Sequence, residues 1–423
     1  MNGLQTANAP SAKVVVPHYV FASFAFLILT VLMLVSSSEW INLYFSPKLI
    51  AITHIAVLGW ASMIAFGALY QLIPVIYETS LHSEKLAMVT FIMFTVSIIA
   101  LSYSFWIASY SNLLFYSALL MFLSLLLFVI NLVLTFRKRQ KNNIQAQFIS
   151  AAVFWLALTE IAGTLIAIDF KYNIMNDVHL HYLKIHAHLG LVGWFLLLII
   201  GASSILIPMF VVSHHADEKR LKWSFYTINT GLAGLTLSWL FHLNDWFTYV
   251  FIGLIVVGLI FYFTYVYQVY EKRIRKKPDT GMKFTLLSII LLNLPLVIGL
   301  AIVKSDISSL SVNYGFGIIF GFITTIILGQ IYKTLPFIVW LERYQTYVGK
   351  FKTPLPRELY SETLANYQLY IYLISYGIAF FGMYFKHEQV LNIGIIGLII
   401  TALINLNNIL KMTFHKTQLS PLS

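Results

Sequence analysis

At 423 residues the chain has the length of two or three soluble domains, but 59% of it is hydrophobic and only 10% is charged. A soluble domain carries about 25% charged residues, so a soluble fold is excluded and a lipid bilayer is the expected solvent. There is no cysteine, which excludes disulfides, thiolate metal sites, iron–sulfur clusters, covalent c-type haem attachment and a cysteine nucleophile.

Runs of about twenty apolar residues predict an all-α polytopic membrane protein with twelve transmembrane helices. They lie over 17–42, 47–77, 84–107, 111–136, 146–172, 180–212, 221–242, 246–270, 284–303, 312–341, 366–386 and 389–411. Residues 1–16 are polar and carry one lysine, without the charged start and small-residue cleavage site of a signal peptide. They read as a cytoplasmic tail ahead of a single membrane domain over 17–423, and the first helix is expected to stay.

Orientation follows from the basic residues of the loops. With the N-terminus inside, 21 of the 27 Lys and Arg residues fall on the cytoplasmic side, five fall outside, and Lys333 lies within helix 10. The clusters at Arg137–Lys141, Lys219–Lys222 and Lys272–Lys283 carry most of the bias. The expected location is a bacterial plasma (inner) membrane, with both termini cytoplasmic. The net charge of +11 is thereby explained by the anionic inner leaflet and requires no nucleic acid.

Helices 2 and 6 repeat one pattern. From the histidine, glycine falls at +5, tryptophan at +6, glycine at +13 and proline at +20: His54, Gly59, Trp60, Gly67 and Pro74, then His188, Gly193, Trp194, Gly201 and Pro208. Helix 10 keeps Gly321, Gly329 and Pro336 at that spacing, with Phe316 in the histidine position and Phe322 in the tryptophan position. Three such helices predict three pseudo-repeats of four, at about 17–136, 146–270 and 284–411, arranged as a ring with pseudo-threefold symmetry. The glycines are expected to let backbones approach, and the prolines to mark the inner ends of the spans.

A histidine inside a membrane span is costly and tends to serve a function. His54 and His188 lie at matching depths, about 10 Å inside the outer boundary at 1.5 Å per residue. Two neutral imidazoles are what a low-spin haem iron needs at its axial positions; hydrogen bonding to backbone is the other use for the pair. At about 100° per residue, His181 shares a helix face with His188, and His179 with His186, while His186 and His188 point apart. His186 is thus the alternative second haem ligand, and His181, His186 and His242 form a candidate second metal site, with copper as one occupant. For His179, His181, His242 and His387, contact with interfacial water is the simpler role. Glu160, near the middle of helix 5, is the candidate for a proton relay or for a hydrogen bond to a neighbouring helix. Lys333 is expected to snorkel, and the His214–His215 segment to be a solvated cytoplasmic loop.

Twelve helices in three pseudo-repeats, with a histidine in helix 2 ahead of a glycine–aromatic–proline tail, resemble the large subunit of the haem-copper oxidase superfamily. His54 with the downstream GALYQLIP is similar to the corresponding helix of nitric oxide reductases and cbb3-type oxidases. The HAH and LGW phrasing of helix 6 is similar to NnrS-type membrane haem proteins. The resemblance implies haem b as cofactor, an electron-donor subunit or cytochrome as partner, and a role in electron transfer or in nitric oxide or haem handling. Catalytic members of the superfamily hold a high-spin haem on a helix 10 histidine, and a second metal on helix 6 and a histidine pair on helix 7. Here helix 10 has no histidine and helix 7 offers His242 alone, so the full binuclear centre is not expected. A divergent nitric oxide reductase or terminal oxidase subunit is the alternative, and a twelve-helix transporter with Glu160 in its path is the reading from another class.

Overall fold

A computed structural model describes residues 8–43, 45–213, 217–305 and 308–416. The first seven residues of the expected tail and the His214–His215 pair lie outside them. Nearly all of the described chain is helical, without a β-strand. Ten helices are long and apolar enough to cross a membrane: α1 (Ala12–Val35), α2 (Pro47–Tyr77), α3 (Glu84–Trp106), α4 (Asn112–Phe136), α5 (Ile144–Tyr172), α6 (His179–Val211), α8 (Asp245–Glu271), α9 (Thr280–Lys304), α10 (Ser311–Tyr347) and α12 (Glu388–Thr413). The other two expected spans form helices of 23 residues each, α7 (Glu218–Leu240) and α11 (Glu362–Tyr384), but fall outside that apolar set. Their sequences explain this: α7 opens on Glu-Lys-Arg-Leu-Lys and carries Thr227, Asn229 and Thr230, while α11 opens on Glu-Thr and carries Asn366, Gln368 and several tyrosines.

The helices begin where the sequence supplies a side-chain acceptor for an otherwise unpaired amide. Ser46 accepts from the Leu49 amide ahead of Pro47, Asn143 from Ala146, Asn244 from Trp246 and Asp279 from Met282. The first helix starts five residues before the expected boundary because Ser11 accepts from the Lys13 amide; Pro17 then falls inside the helix without ending it. Several buried hydroxyls are satisfied within their own helices. Ser23, Thr30, Ser117, Ser124 and Ser204 each donate to the carbonyl three residues back, as a bilayer interior requires. Large apolar side chains such as Ile28, Ile92, Phe154, Ile290 and Ile374 are more than half exposed, a cost in water and a suitable surface for lipid.

The helices pack as two compact units, one of 72–101 and 109–278, the other of 10–71, 102–108 and 279–416. In the first, α5 packs against α4 and α6, and α7 against α8. Gly201 of α6 lies over α5, where an added Cβ would come within 2.9 Å of the Phe148 Cβ. In the second, α1 packs on α12 and on the middle of α2, α9 on α10, and α11 on α12. There Gly67 of α2 lies over α1, 2.9 Å from the His18 Cβ by the same measure, and Gly329 of α10 over α9, 2.5 Å from the Gly281 carbonyl oxygen. The glycine at +13 of each motif helix therefore has the packing role its spacing suggested.

The motif helices share a second feature that spacing does not reveal. Each contains an eight-residue π-helical stretch, Ile55–Ser62 in α2, Leu189–Leu196 in α6 and Gly317–Thr324 in α10. Each starts one residue after the motif's first position, His54, His188 or Phe316. A π stretch replaces i→i−4 bonds by i→i−5 bonds, which widens the helix and rotates the next turns about its axis; such stretches are frequent at functional sites. Trp60 and Trp194 lie inside them and are buried. Trp60 stacks on Phe26 and donates to the Thr324 hydroxyl (3.1 Å), while Trp194 meets Phe128 edge-on.

Lys333 reaches an acidic side chain at the start of α9. Its ammonium lies 2.6 Å from the Asp279 carboxylate, and the lysine side chain is only 11% exposed. Asp279 also caps α9, so the pair ties the start of α9 to α10. Changing Asp279 to Asn is expected to destabilise the protein by about 1–3 kcal/mol, the cost of taking the carboxylate away from a largely buried ammonium. Adding Lys333→Met should recover part of that loss, because both charges are then gone. Melting temperatures of the single and double variants check this; equal melting of wild type and Asp279→Asn contradicts it.

Candidate functional site

His54 lies in the N-terminal third of α2, half-buried, with its ring stacked on Phe105 (centroids 5.0 Å apart, planes at 27°). Its Nδ1 is 2.8 Å from the Ile50 carbonyl oxygen, one helical turn back. A carbonyl only accepts, so Nδ1 carries the proton and, in the neutral ring, the lone pair is on Nε2.

His188 repeats this arrangement in the other unit. Its Nδ1 donates to the Lys184 carbonyl at 2.8 Å, again one turn back, and its ring meets Trp239 of α7 edge-on (5.0 Å, 73°). Both histidines end an α-helical stretch and are succeeded at once by a π stretch. The backbone hydrogen bond and metal ligation, opposed as alternatives on sequence grounds, are compatible. A ligand imidazole ordinarily donates its second nitrogen to a carbonyl or carboxylate, which fixes the tautomer and the ring orientation.

His186 turns the other way, toward α5. Its Nδ1 donates to the Thr159 carbonyl (2.9 Å), and its ring covers Gly163, where an added Cβ would come within 2.8 Å of Cε1. Sequence reasoning missed both partners, although their four-residue spacing on α5 is a signal for a small-residue face. The ring is held by another helix rather than by its own, in contrast to His54 and His188. Gly163→Val is expected to expel His186 from this cradle and to destabilise the protein by about 1–3 kcal/mol through overpacking, measurable as a lowered melting temperature. An unchanged melt contradicts that contact.

A second cluster forms at the start of α6 and just past the end of α7. His181 and His242 stack with centroids 4.6 Å apart and planes at 18°, and the His242 Nε2 is 2.9 Å from an Asp177 carboxylate oxygen. One ligand atom from each of Asp177, His181 and His242 lies within 4.8 Å of the others. Of the expected His181, His186 and His242 set, the structure thus brings two together, adds Asp177 and leaves His186 elsewhere. His179 takes a separate partner, the Asp169 carboxylate at 2.8 Å, and stacks on Phe170. Asp169 also accepts from the Met175 amide (2.7 Å), holding the loop that leads to Asp177.

Glu160 is on α5 next to the His186 cradle, and its carboxylate accepts from the Thr164 hydroxyl at 3.2 Å. His387 caps α12 by accepting from the Val390 amide. His415, at the opposite end of α12, accepts from or donates to the Tyr344 hydroxyl (2.8 Å), and desolvation lowers its pKa.

Comparisons with protein-family models and with curated proteins give no match to this chain.

Proposed function

We propose that the chain is a multi-pass membrane haem b protein with His54 and His188 as iron ligands, acting in electron transfer or in nitric oxide or haem handling. The observation that carries this reading is the shared local geometry of the two histidines. Each has Nδ1 tied to the carbonyl one turn back, which presents a neutral Nε2, and each stands at the start of a π stretch in a repeated sequence motif. The donor set suits haem iron better than a harder cation, and thiolate ligation is excluded by composition. Iron held by two imidazoles is low-spin and carries one electron at a time. The chain's own part is to fix the tautomer, orient the rings and keep them among aromatic side chains.

The reading includes the twelve-span, three-repeat layout, with α7 and α11 crossing the membrane despite their polar starts and both termini on the cytoplasmic side of a bacterial plasma membrane. The matching π stretches and the glycine contacts of α2, α6 and α10 support it. His186 is the alternative second ligand, since its Nδ1 is also a donor to a carbonyl. An electron-donor subunit or cytochrome is the implied partner.

Glu160 is the relay candidate. Glu160→Gln keeps an oxygen that can accept from Thr164, so the fold and any haem spectrum should persist. Proton uptake coupled to haem reduction should fall severalfold, measured as the pH dependence of the reduction potential. An unchanged slope of potential against pH removes Glu160 from that role.

A second reading, a divergent nitric oxide reductase or oxidase subunit, is favoured by one observation, the Asp177–His181–His242 cluster. Turnover of nitric oxide or oxygen by purified protein that also holds a second metal supports that reading; haem without turnover supports the first.

A further inference from the structure

We propose that Asp177, His181 and His242 form a binding site for a divalent first-row transition metal, zinc or copper(II), at the outer ends of α6 and α7. The site goes beyond the haem reading and uses none of its ligands.

The placement of the three residues is set by local structure. Asp177 lies in the turn before α6, and His181 lies in the first turn of that helix. His242 sits just past the end of α7 at φ +48°. There the Leu243 amide closes back on the Ser238 carbonyl (2.9 Å) and carries the chain off the helix. This turn brings the His242 ring onto that of His181, although the two are 61 positions apart in the sequence.

The donor geometry then selects the ligand. The His242 Nε2 and Asp177 oxygen are 2.9 Å apart, close to the roughly 3.3 Å between two ligand atoms at tetrahedral angles and 2.0–2.1 Å from zinc. All three ligand atoms fall within 4.8 Å, so closure on an ion requires rotations of ring and carboxylate rather than movement of a helix. The His181 Nε2 is buried without a hydrogen-bond partner among the described residues, a cost that a bound metal removes. Two imidazoles and one carboxylate are the donors of zinc and copper(II) sites. Calcium and magnesium take six or more oxygens and are disfavoured here. The side chains of His242 and Asp177 are 60% and 38% exposed, which leaves an entry path and room for water as a fourth ligand. His179 is already paired with Asp169 and is not needed.

The test is titration of untagged, chelator-treated full-length protein in nanodiscs with Zn2+, then with Cu2+ under electron paramagnetic resonance. The expected result is one ion bound per chain, with a copper spectrum showing nitrogen ligation. His181→Ala and His242→Gln should each weaken binding at least tenfold, and Asp177→Asn should weaken it less. His242 is exposed at a helix end, so His242→Gln is the variant expected to keep the fold, checked by its melting temperature. His54→Ala and His188→Ala should bind the ion as wild type does, which separates this site from the haem reading whether or not haem is present. Wild-type binding no tighter than that of the His181→Ala/His242→Gln double variant overturns the proposal. So does a bound ion that all three single variants retain.

Discussion

Replacing His188 by alanine is expected to remove at least half of the haem from the purified protein and to convert what remains from six-coordinate low-spin to five-coordinate high-spin iron. His54→Ala should do the same, because the two imidazoles share one arrangement: Nδ1 bonded to the carbonyl of Ile50 or Lys184, and a π stretch beginning at the next residue. Loss of an axial ligand opens a coordination position, so carbon monoxide should bind the reduced variants and not the wild type. His186→Ala distinguishes the alternative ligand. If it, rather than His188→Ala, changes the spin state, the ligand pair is His54 and His186, and the Thr159 carbonyl takes the place of Lys184 as the acceptor that sets the tautomer.

The second large effect concerns packing. Gly329→Leu is expected to lower stability by about 1–3 kcal/mol or more, because even the first added carbon would lie 2.5 Å from the Gly281 carbonyl oxygen, a backbone atom that cannot rotate away. Gly201→Leu meets the Phe148 Cβ at 2.9 Å and Gly67→Leu the His18 Cβ at the same distance, so both should also destabilise. Gly377, with nothing within 4 Å of an added Cβ, is the control: Gly377→Leu should melt close to wild type. Thermal unfolding in detergent, monitored by loss of monodispersity, provides the measurement. Gly329→Leu melting with the control contradicts the close approach of α10 to α9.

Much of this architecture is legible in the sequence because hydrophobic runs and motif spacing are one-dimensional properties. The run beginning at Pro47 predicts α2 to the residue, and the +13 glycines foretell the close contacts of Gly67, Gly201 and Gly329. Hydropathy alone does not rank α7 and α11. Their apolar residues are diluted by Glu218–Lys222 and by the polar start of α11, so a window that reads them as spans depends on where it is placed. The π stretches are not legible, because hydrophobic runs and glycine spacing carry no mark of the shift from i−4 to i−5 bonding.

The same distinction applies to the site. His54 and His188 are found by their repeat position, and helical geometry alone puts a carbonyl one turn behind each Nδ1. Asp177 could not be paired with His242, since their contact depends on how the turn after Leu240 redirects the chain. Thr159 and Gly163 are recognisable as a small-residue face on α5. Identifying His186 as its occupant requires the rotation of α6 about its axis, which the spacing of four histidines within ten residues leaves open.

Haem ligation by His54 and His188 is read from the optical spectrum of the purified full-length protein, oxidised and dithionite-reduced, with haem quantified per chain. The expected spectrum has a Soret band, the sharp α and β bands of six-coordinate low-spin haem b on reduction, and at least one haem per chain. Protein that is folded and monodisperse yet shows no Soret band after expression with ample haem rules out haem ligation by this pair.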